Sequence, residues 1–500
     1  MIATTGDGTF SLAMQGIHGI VFGVRERQIS LLVLLFAAAL ALRLCRLSNQ
    51  SLWMDEISSV ETARVPMNEI VARSAQNNAL PTYFLLLRPI VGTTNEHIEV
   101  RARIISVVAG ALAVPVFVGL VFRWYRHWPV ALIAGILLAV NPLHLWYSQE
   151  TRGYALMLLF GLCCLLCFEL GRSKRLVRWW IAYIVFAILA PAVHKTGLVF
   201  PLACALWDGW AMSRRRVRIK DLAPHLVFLA IAALILIEPS QPPAREFGRP
   251  NSILEIAYTA MTFVGGYSFG PSLTDIQNEG PKTAVLNHLF QTGILAGVLA
   301  LFAAVLTWRW HFVLKVRATL LLFLPVWVGF AGALLSNFPY NVRYTLPAIF
   351  GFLALLASLP LMVSKRWFCH TLIGMLLAIN LWADVQWFFV SNYRKGDSRA
   401  VSQWLVDHQA EVKSWTVLPD YLAYSIKWYL KDHPEVVARA EPAKEVQTTS
   451  FPPVPDVLII GRRHHVKDPD DIIAAFRAVG GQVQKIQFFA GFELYVREKK

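Results

Sequence analysis

The stretch Ile29-Ser30-Leu31-Leu32-Val33-Leu34-Leu35-Phe36-Ala37-Ala38-Ala39-Leu40-Ala41-Leu42-Arg43-Leu44-Cys45-Arg46-Leu47 leads into Ser51-Leu52-Trp53-Met54-Asp55-Glu56. An apolar run of roughly 20 residues, enough to cross a hydrocarbon core of about 30 Å as a helix, therefore ends just ahead of two adjacent carboxylates. Charge beside a bilayer is costly and is kept where it binds or catalyses something. Asp55 and Glu56 are the first candidates for a functional centre.

Similar runs recur outward from this one, near residues 103–122, 130–146, 154–170, 178–193, 196–212, 223–238, 285–307, 318–335, 344–363 and 368–390. Composition agrees: 56% of the 500 residues are hydrophobic, 16% are charged, and mean hydropathy is +0.49. Those values lie outside the soluble globular range. The expected fold is mainly α, a polytopic membrane protein of about 11 transmembrane helices.

The formal charge of +15 needs no nucleic acid to explain it, because the basic residues mark alternate loops. Arg25 and Arg27 precede the first run; Arg123 and Arg126, Arg172 to Arg178, Arg214 to Lys220, Arg309 to Arg317, and Lys365 and Arg366 follow alternate later ones. The positive-inside rule makes these loops cytoplasmic, puts the N-terminus inside, and turns Asp55 and Glu56 outward. Arg64, Arg73, Arg88, Arg101 and Arg103 break the pattern, in a loop long enough to be weakly bound by the rule.

Residues 1–28 are thus expected as a cytoplasmic segment without a cleavage site, the first helix being retained as an anchor. Residues 29–390 form the transmembrane domain, with long outer loops at 48–102 and 239–284. The first loop carries short helical patterns at Pro66 to Arg73 and Pro81 to Arg88; the second holds Pro239, Pro242, Pro243 and Pro250 and one helix near Ile253 to Phe263. Both suit covers over a cavity. Residues 391–500 read as a small extracytoplasmic α/β domain: helices at 397–407, 421–430 and 469–479, and strands at 414–418, 457–461 and 488–496. Gly461-Arg462-Arg463 lacks the glycine spacing of a dinucleotide site. All six cysteines fall in or beside the apolar runs, so they carry no disulfide framework, and Cys164 and Cys167 are read as small packing residues.

Further polar residues gather at the outer helix ends. Glu150, Arg152 and Tyr154 lie in Tyr147-Ser148-Gln149-Glu150-Thr151-Arg152-Gly153-Tyr154; His194 and Lys195 form a tight turn; Arg343 and Tyr344 enter the tenth run. Bland readings stand beside these: headgroup contacts or snorkelling for the arginines, a polar hairpin turn for His194 and Lys195. Asp384, inside the last run, has no evident partner. Acids and cations on one surface suit an anionic ligand with a reacting centre beside it. A carboxylate that takes a hydroxyl proton makes the oxygen a nucleophile, and Arg or Lys neutralises a phosphate leaving group. Polyprenyl-phosphate sugars are donors of that kind.

At these residues the sequence resembles the bacterial glycosyltransferase family 39 group of GT-C enzymes, related to protein O-mannosyltransferases and lipid A aminoarabinose transferases. The resemblance rests on Leu52-Trp53-Met54-Asp55-Glu56, on the loop from Tyr147 to Tyr154, and on Arg343-Tyr344-Thr345-Leu346-Pro347. It extends over the full length, including the domain after Tyr393-Arg394-Lys395-Gly396-Asp397. It implies inverting transfer from a polyprenyl-phosphate sugar to a lipid, glycan or protein acceptor at the outer face of the bacterial cytoplasmic membrane. Asp55 would be the catalytic base, Glu56 and Glu150 would shape the pocket, and Arg152, Lys195 and Arg343 would meet the phosphate. One departure is visible: where many relatives carry His-Pro-Pro, this chain has Asn78-Ala79-Leu80-Pro81, which argues against protein mannosylation. A divalent cation assists some GT-C enzymes, but two adjacent acids make a thin ligand set, so no obligatory cofactor or metal is expected. The competing reading is a lipid or polysaccharide transporter or flippase, disfavoured by charges at span ends and the lack of matching halves.

Overall fold

A computed structural model describes residues 26–76, 80–214, 216–236, 252–310, 317–336, 340–442, 455–480, 482–488 and 491–498. The expectations for residues 1–25, for Asn78 and Ala79, and for Pro239, Pro242, Pro243 and Pro250 lie outside the described residues.

The apolar runs fold as helices. Among the described residues six are long and apolar enough to cross a membrane: Glu26–Leu44, Ile98–Tyr125, Tyr154–Lys174, Leu289–Trp308, Arg317–Leu335 and Arg366–Phe389. The run read at 130–146 is not one straight helix. It is a pair, Trp128–Ala139 and Pro142–Ser148, bent by 57°. The cause is local. Proline disfavours helical backbone at the residue before it, so Asn141 turns extended and caps the next helix, its side chain accepting from the His144 N–H. Counted as one span, the pair makes a seventh candidate. The helices at Val177–Val193 and Ala348–Ala357 are shorter, and the run expected at 344–363 opens instead with a 3₁₀ turn, Val342–Thr345. Eleven straight crossings are thus more than the helix lengths alone support.

Large apolar side chains face outward on these helices, Leu34, Phe290, Trp327 and Leu335 among them, the pattern of a surface solvated by lipid. Inside, backbones approach closely at glycine. A Cβ on Gly351 would meet the backbone of Leu322 and Ala318 at 2.3 and 2.4 Å, and one on Gly110 would meet Ser148 Oγ at 2.1 Å. Arg43 is fully buried in the first helix and donates to the Ala139 carbonyl at 3.1 Å and to His144 Nδ1 at 2.8 Å, splinting the bend. Asp384 feels the charge of that same arginine but makes no ion pair with it, and among the described residues both its carboxylate oxygens lack a hydrogen-bond partner.

The first outer loop is more helical than expected. Besides Met67–Gln76 and Thr82–Val91 it holds Met54–Arg64, which carries Asp55 and Glu56 in its first turn. The arginines that broke the charge pattern are used up inside this loop. Arg64 donates to the carbonyls of Gly92 and Thr94, Arg88 to those of Ala63 and Val65, Arg101 to that of Ile90, and Arg103 to Glu56.

Beyond the last long helix lies a four-stranded sheet: β1 (Trp415–Leu418), β2 (Val457–Gly461), β3 (Val483–Phe488) and β4 (Phe492–Arg497). The order is β1-β2-β4-β3, with β1 and β2 parallel and the rest antiparallel. The segment read as one closing strand, 488–496, is the end of a hairpin. Gly491 at φ +91° supplies the turn conformation that breaks it.

Candidate active site

Asp55 sits near the start of the Met54–Arg64 helix, half-buried, with Oδ2 accepting from Arg343 Nη1 at 3.1 Å. Arg343 belongs to the 3₁₀ turn at 342–345, where Asn341 accepts from the Arg343 N–H. Its guanidinium lies 5.5 Å from the centre of the Tyr344 ring. Arg152 is electrostatically linked to both Asp55 and Arg343 and donates to Ser59 Oγ at 3.4 Å.

Glu56 points the other way. It is fully buried and takes two hydrogen bonds from Arg103, at 2.9 and 2.8 Å, and two from Thr151, at 2.9 and 3.2 Å. Lys395 Nζ adds an ion pair at 3.3 Å. Burial alone would favour the protonated form, but Arg103 and Lys395 outweigh it and hold this carboxyl down at about 2. Arg103 also donates to the carbonyls of Leu47, Gln50 and Ser51. Glu56 therefore ties the chain entering the Asp55 helix to the loop at Thr151.

Beside Asp55 opens a cavity of roughly 300 Å³, walled by Trp53, Trp146, Tyr147, Tyr258, Tyr267 and Tyr340, with Glu150, Glu255 and Arg343 as its charged groups. The bend at Asn141 places Trp146 and Tyr147 here. Asn141 Nδ2 donates to the Phe263 carbonyl at 3.0 Å, and Gly266, at φ +61°, seats its chain against Pro142. Tyr147 and Tyr267 share a hydroxyl hydrogen bond of 3.1 Å. Glu150 is buried, and its Oε2 lacks a partner. Burial pushes its carboxyl up to about 7, with Lys395 opposing the rise and Glu56 and Asp55 adding to it.

Of the remaining expected residues, Tyr154 packs its ring 4.7 Å from that of His194 and 5.1 Å from that of Tyr147. Burial, reinforced by Arg152 and Arg343, lowers His194 to about 3, so it is a neutral ring, its Nδ1 bonded to Thr196 Oγ1 at 2.8 Å. Lys195 is exposed on the adjoining turn and is not one of the cavity side chains. Sequence reasoning missed Arg103 and Lys395 as partners of Glu56, together with the aromatic wall. Arg103 carried a usable signal, a charge opening an apolar helix. Among the described residues no group of three or more His, Cys, Asp or Glu is arranged to hold a metal ion.

No family model matches the sequence, and no curated protein matches it. Two solved structures overlap it along most of its length. One is ArnT from Cupriavidus metallidurans bound to undecaprenyl phosphate, 13% identical, covering 93% of this chain and 98% of that one with a TM-score of 0.45. The other is the same protein in the apo state, 13% identical, covering 95% and 99% with a TM-score of 0.46.

Proposed function

We propose that this chain is a multi-pass glycosyltransferase of the bacterial cytoplasmic membrane. It has about eleven crossings, its N-terminus inside and its C-terminal domain outside, and it moves a sugar from a polyprenyl-phosphate donor to a hydroxyl acceptor at the outer face. The observation that carries this reading is the 3.1 Å contact between Asp55 and Arg343 beside an aromatic cavity. A carboxylate and a guanidinium in contact are the two groups such a displacement needs at its two ends.

The acceptor oxygen attacks the anomeric carbon while the bond from that carbon to the phosphate oxygen breaks. The hydroxyl proton passes to Asp55, and the electron pair of the broken bond leaves on the polyprenyl phosphate. Arg343 and Arg152, with Lys195 at the adjoining turn, meet the charge that develops there. One displacement inverts the anomeric centre. With the phosphate bound, Arg343 exchanges a carboxylate for a phosphoryl oxygen, which releases Asp55 to act as base. The aromatic walls suit the faces of a sugar ring, and the apolar helices below suit the lipid. Tyr154, with neutral His194 packed on it, backs the wall residue Tyr147, and Tyr344 lies beside Arg343; Glu150 accepts from a sugar hydroxyl when ionised, and Glu56 acts through the loop it holds. No divalent cation is required in this scheme.

The test uses purified protein in detergent, with a labelled polyprenyl-phosphate sugar and acceptor. Transfer by the wild type, and its loss in Asp55→Asn with normal membrane insertion, is the expected result. Sugar movement seen only across an intact membrane would establish the transporter reading instead.

A further inference from the structure

Lys395 lies on the segment that joins the last long helix to the β-sheet domain, yet its ammonium reaches Glu56 and two aromatic walls of the site. Its side chain is only 3% exposed, and its Nζ lies 3.3 Å from Glu56 Oε2. The direction of that contact is not that of a hydrogen bond, so the ammonium keeps unused donors. It stands 5.6 Å from the ring centre of Trp53 and 5.7 Å from that of Trp146, and both rings wall the cavity that Glu150 lines. Glu56 is already matched by two bonds from Arg103. Lys395 is therefore a second cation on a satisfied carboxylate, while Glu150 nearby has an oxygen without a donor.

The segment carrying this lysine is pinned to the start of the Asp55 motif. Ser51 Oγ donates to the Gly396 carbonyl at 2.8 Å, the Lys395 N–H to Gln50 Oε1 at 3.3 Å, and the Leu52 N–H to Tyr429 Oη at 2.6 Å. Tyr424 Oη donates to Glu61, on the Asp55 helix itself.

We propose that Lys395 is a positioning residue for the transfer reaction. Held between Trp53 and Trp146 by the docked C-terminal domain, it clamps Glu56 and sets the charge carried by Glu150 at the cavity wall. This rests on the reading of the site as a sugar-transfer centre. The groups acting on Glu150 come from several elements: Lys395 from the linker, Asp55 and Glu56 from the 54–64 helix, and Arg152 from its own loop. Tyr147, Tyr154, Tyr267 and Tyr83 also face it. Lys395 is the leading one that favours its ionised form. Burial in turn lowers the lysine, with Glu56 and Glu150 opposing that, so the ammonium and the two carboxylates depend on one another.

The test compares Lys395→Met and Lys395→Arg in the full-length protein in detergent. In Lys395→Met the acid limb of the pH profile for transfer moves to higher pH by on the order of one unit, whereas Lys395→Arg restores the wild-type limb. A lysine that only supported the fold would change the amount of active protein and leave the limb where it is, and that result would overturn the proposal. Infrared titration of the Glu150 carboxyl, identified by its loss in Glu150→Gln, gives a readout independent of activity. A midpoint that rises in Lys395→Met supports the proposal, and an unmoved midpoint overturns it. Should the wild type transfer no sugar while the midpoint still moves, the functional reading fails and the coupling of Lys395 to Glu150 stands. Should Lys395→Met not fold, Lys395→Gln carries the same two measurements.

Discussion

Asp55 and Arg343 lie 288 positions apart in the chain and 3.1 Å apart in the fold, each about a quarter exposed. The contact joins the first outer helix to the entrance of a helix near the end of the membrane domain, and of the two side chains Arg343 lines the cavity while Asp55 lies behind it. A pair this open to solvent contributes little to stability. In the proposed reaction its value lies in being exchangeable for a phosphate.

In the proposed reaction, replacing Asp55 by Asn removes the proton acceptor and leaves the fold. Transfer is expected to fall by roughly 10²- to 10⁴-fold, the usual worth of a positioned general base. Melting of the detergent-solubilised protein should barely move. Arg343→Gln should raise the KM for the lipid donor more than it lowers kcat at saturation, which steady-state kinetics would separate.

Glu56 should behave in the opposite way. Glu56→Gln takes from the buried Arg103 and Lys395 the one carboxylate that both contact and is expected to cost about 3–5 kcal/mol. Thermal unfolding would show this as a large loss before any assay is run. An Arg103→Met, Glu56→Met double variant should recover part of that loss, because of the two buried cations only Lys395 then remains. If Glu56→Gln melts like the wild type, the structural role assigned to Glu56 is wrong.

The two carboxyls give pH dependences of opposite sign. Glu56, lowered to about 2 from its ordinary 4.5, stabilises the fold in full above about 4.5 and loses that contribution as pH falls through about 2. Glu150, raised to about 7, favours the fold in its protonated form, present below about 4.5 and lost as pH rises through about 7. The proposed transfer uses the ionised form, so its rate should climb through about pH 7. In Glu150→Gln that limb should vanish, as rate measurements between pH 5 and 9 would reveal.

Asn141 tests the bend. Asn141→Ala removes both the cap for the Pro142–Ser148 helix and the bond to the Phe263 carbonyl. A loss of about 1–2 kcal/mol is expected. Trp146 and Tyr147 would shift with the helix, so donor KM should rise as well, and unchanged kinetics would show that the bend does not position the cavity wall.

Much of this was legible along the chain. The apolar runs mark most helices to within a few residues because burial and lipid contact impose them locally, but the reading of 130–146 as one run passes over the signal that Asn141-Pro142 carries for its bend. The pairing of distant charges could not be read. Arg103 appeared as an exception to loop charge bias, and its role became visible only when folding placed it against Glu56. Among the described residues Asp384 makes no ion pair, and only the field of Arg43 across the bundle reaches it. Lys395 stood in a linker with nothing local to distinguish it, since its three neighbours, Glu56, Trp53 and Trp146, come from elsewhere. Glycine 491 was read within a strand, although its turn conformation splits the segment into a hairpin.

The pinning of Gly396 to Ser51 and of Tyr429 to Leu52 also bears on biogenesis. Translation delivers Asp55 early, while the segment that locks its helix emerges only in the last quarter of synthesis. A nascent or truncated protein would thus reach the bilayer with its acid present but its ammonium missing. Such a product would hold its first outer helix without the two bonds that fix where it starts.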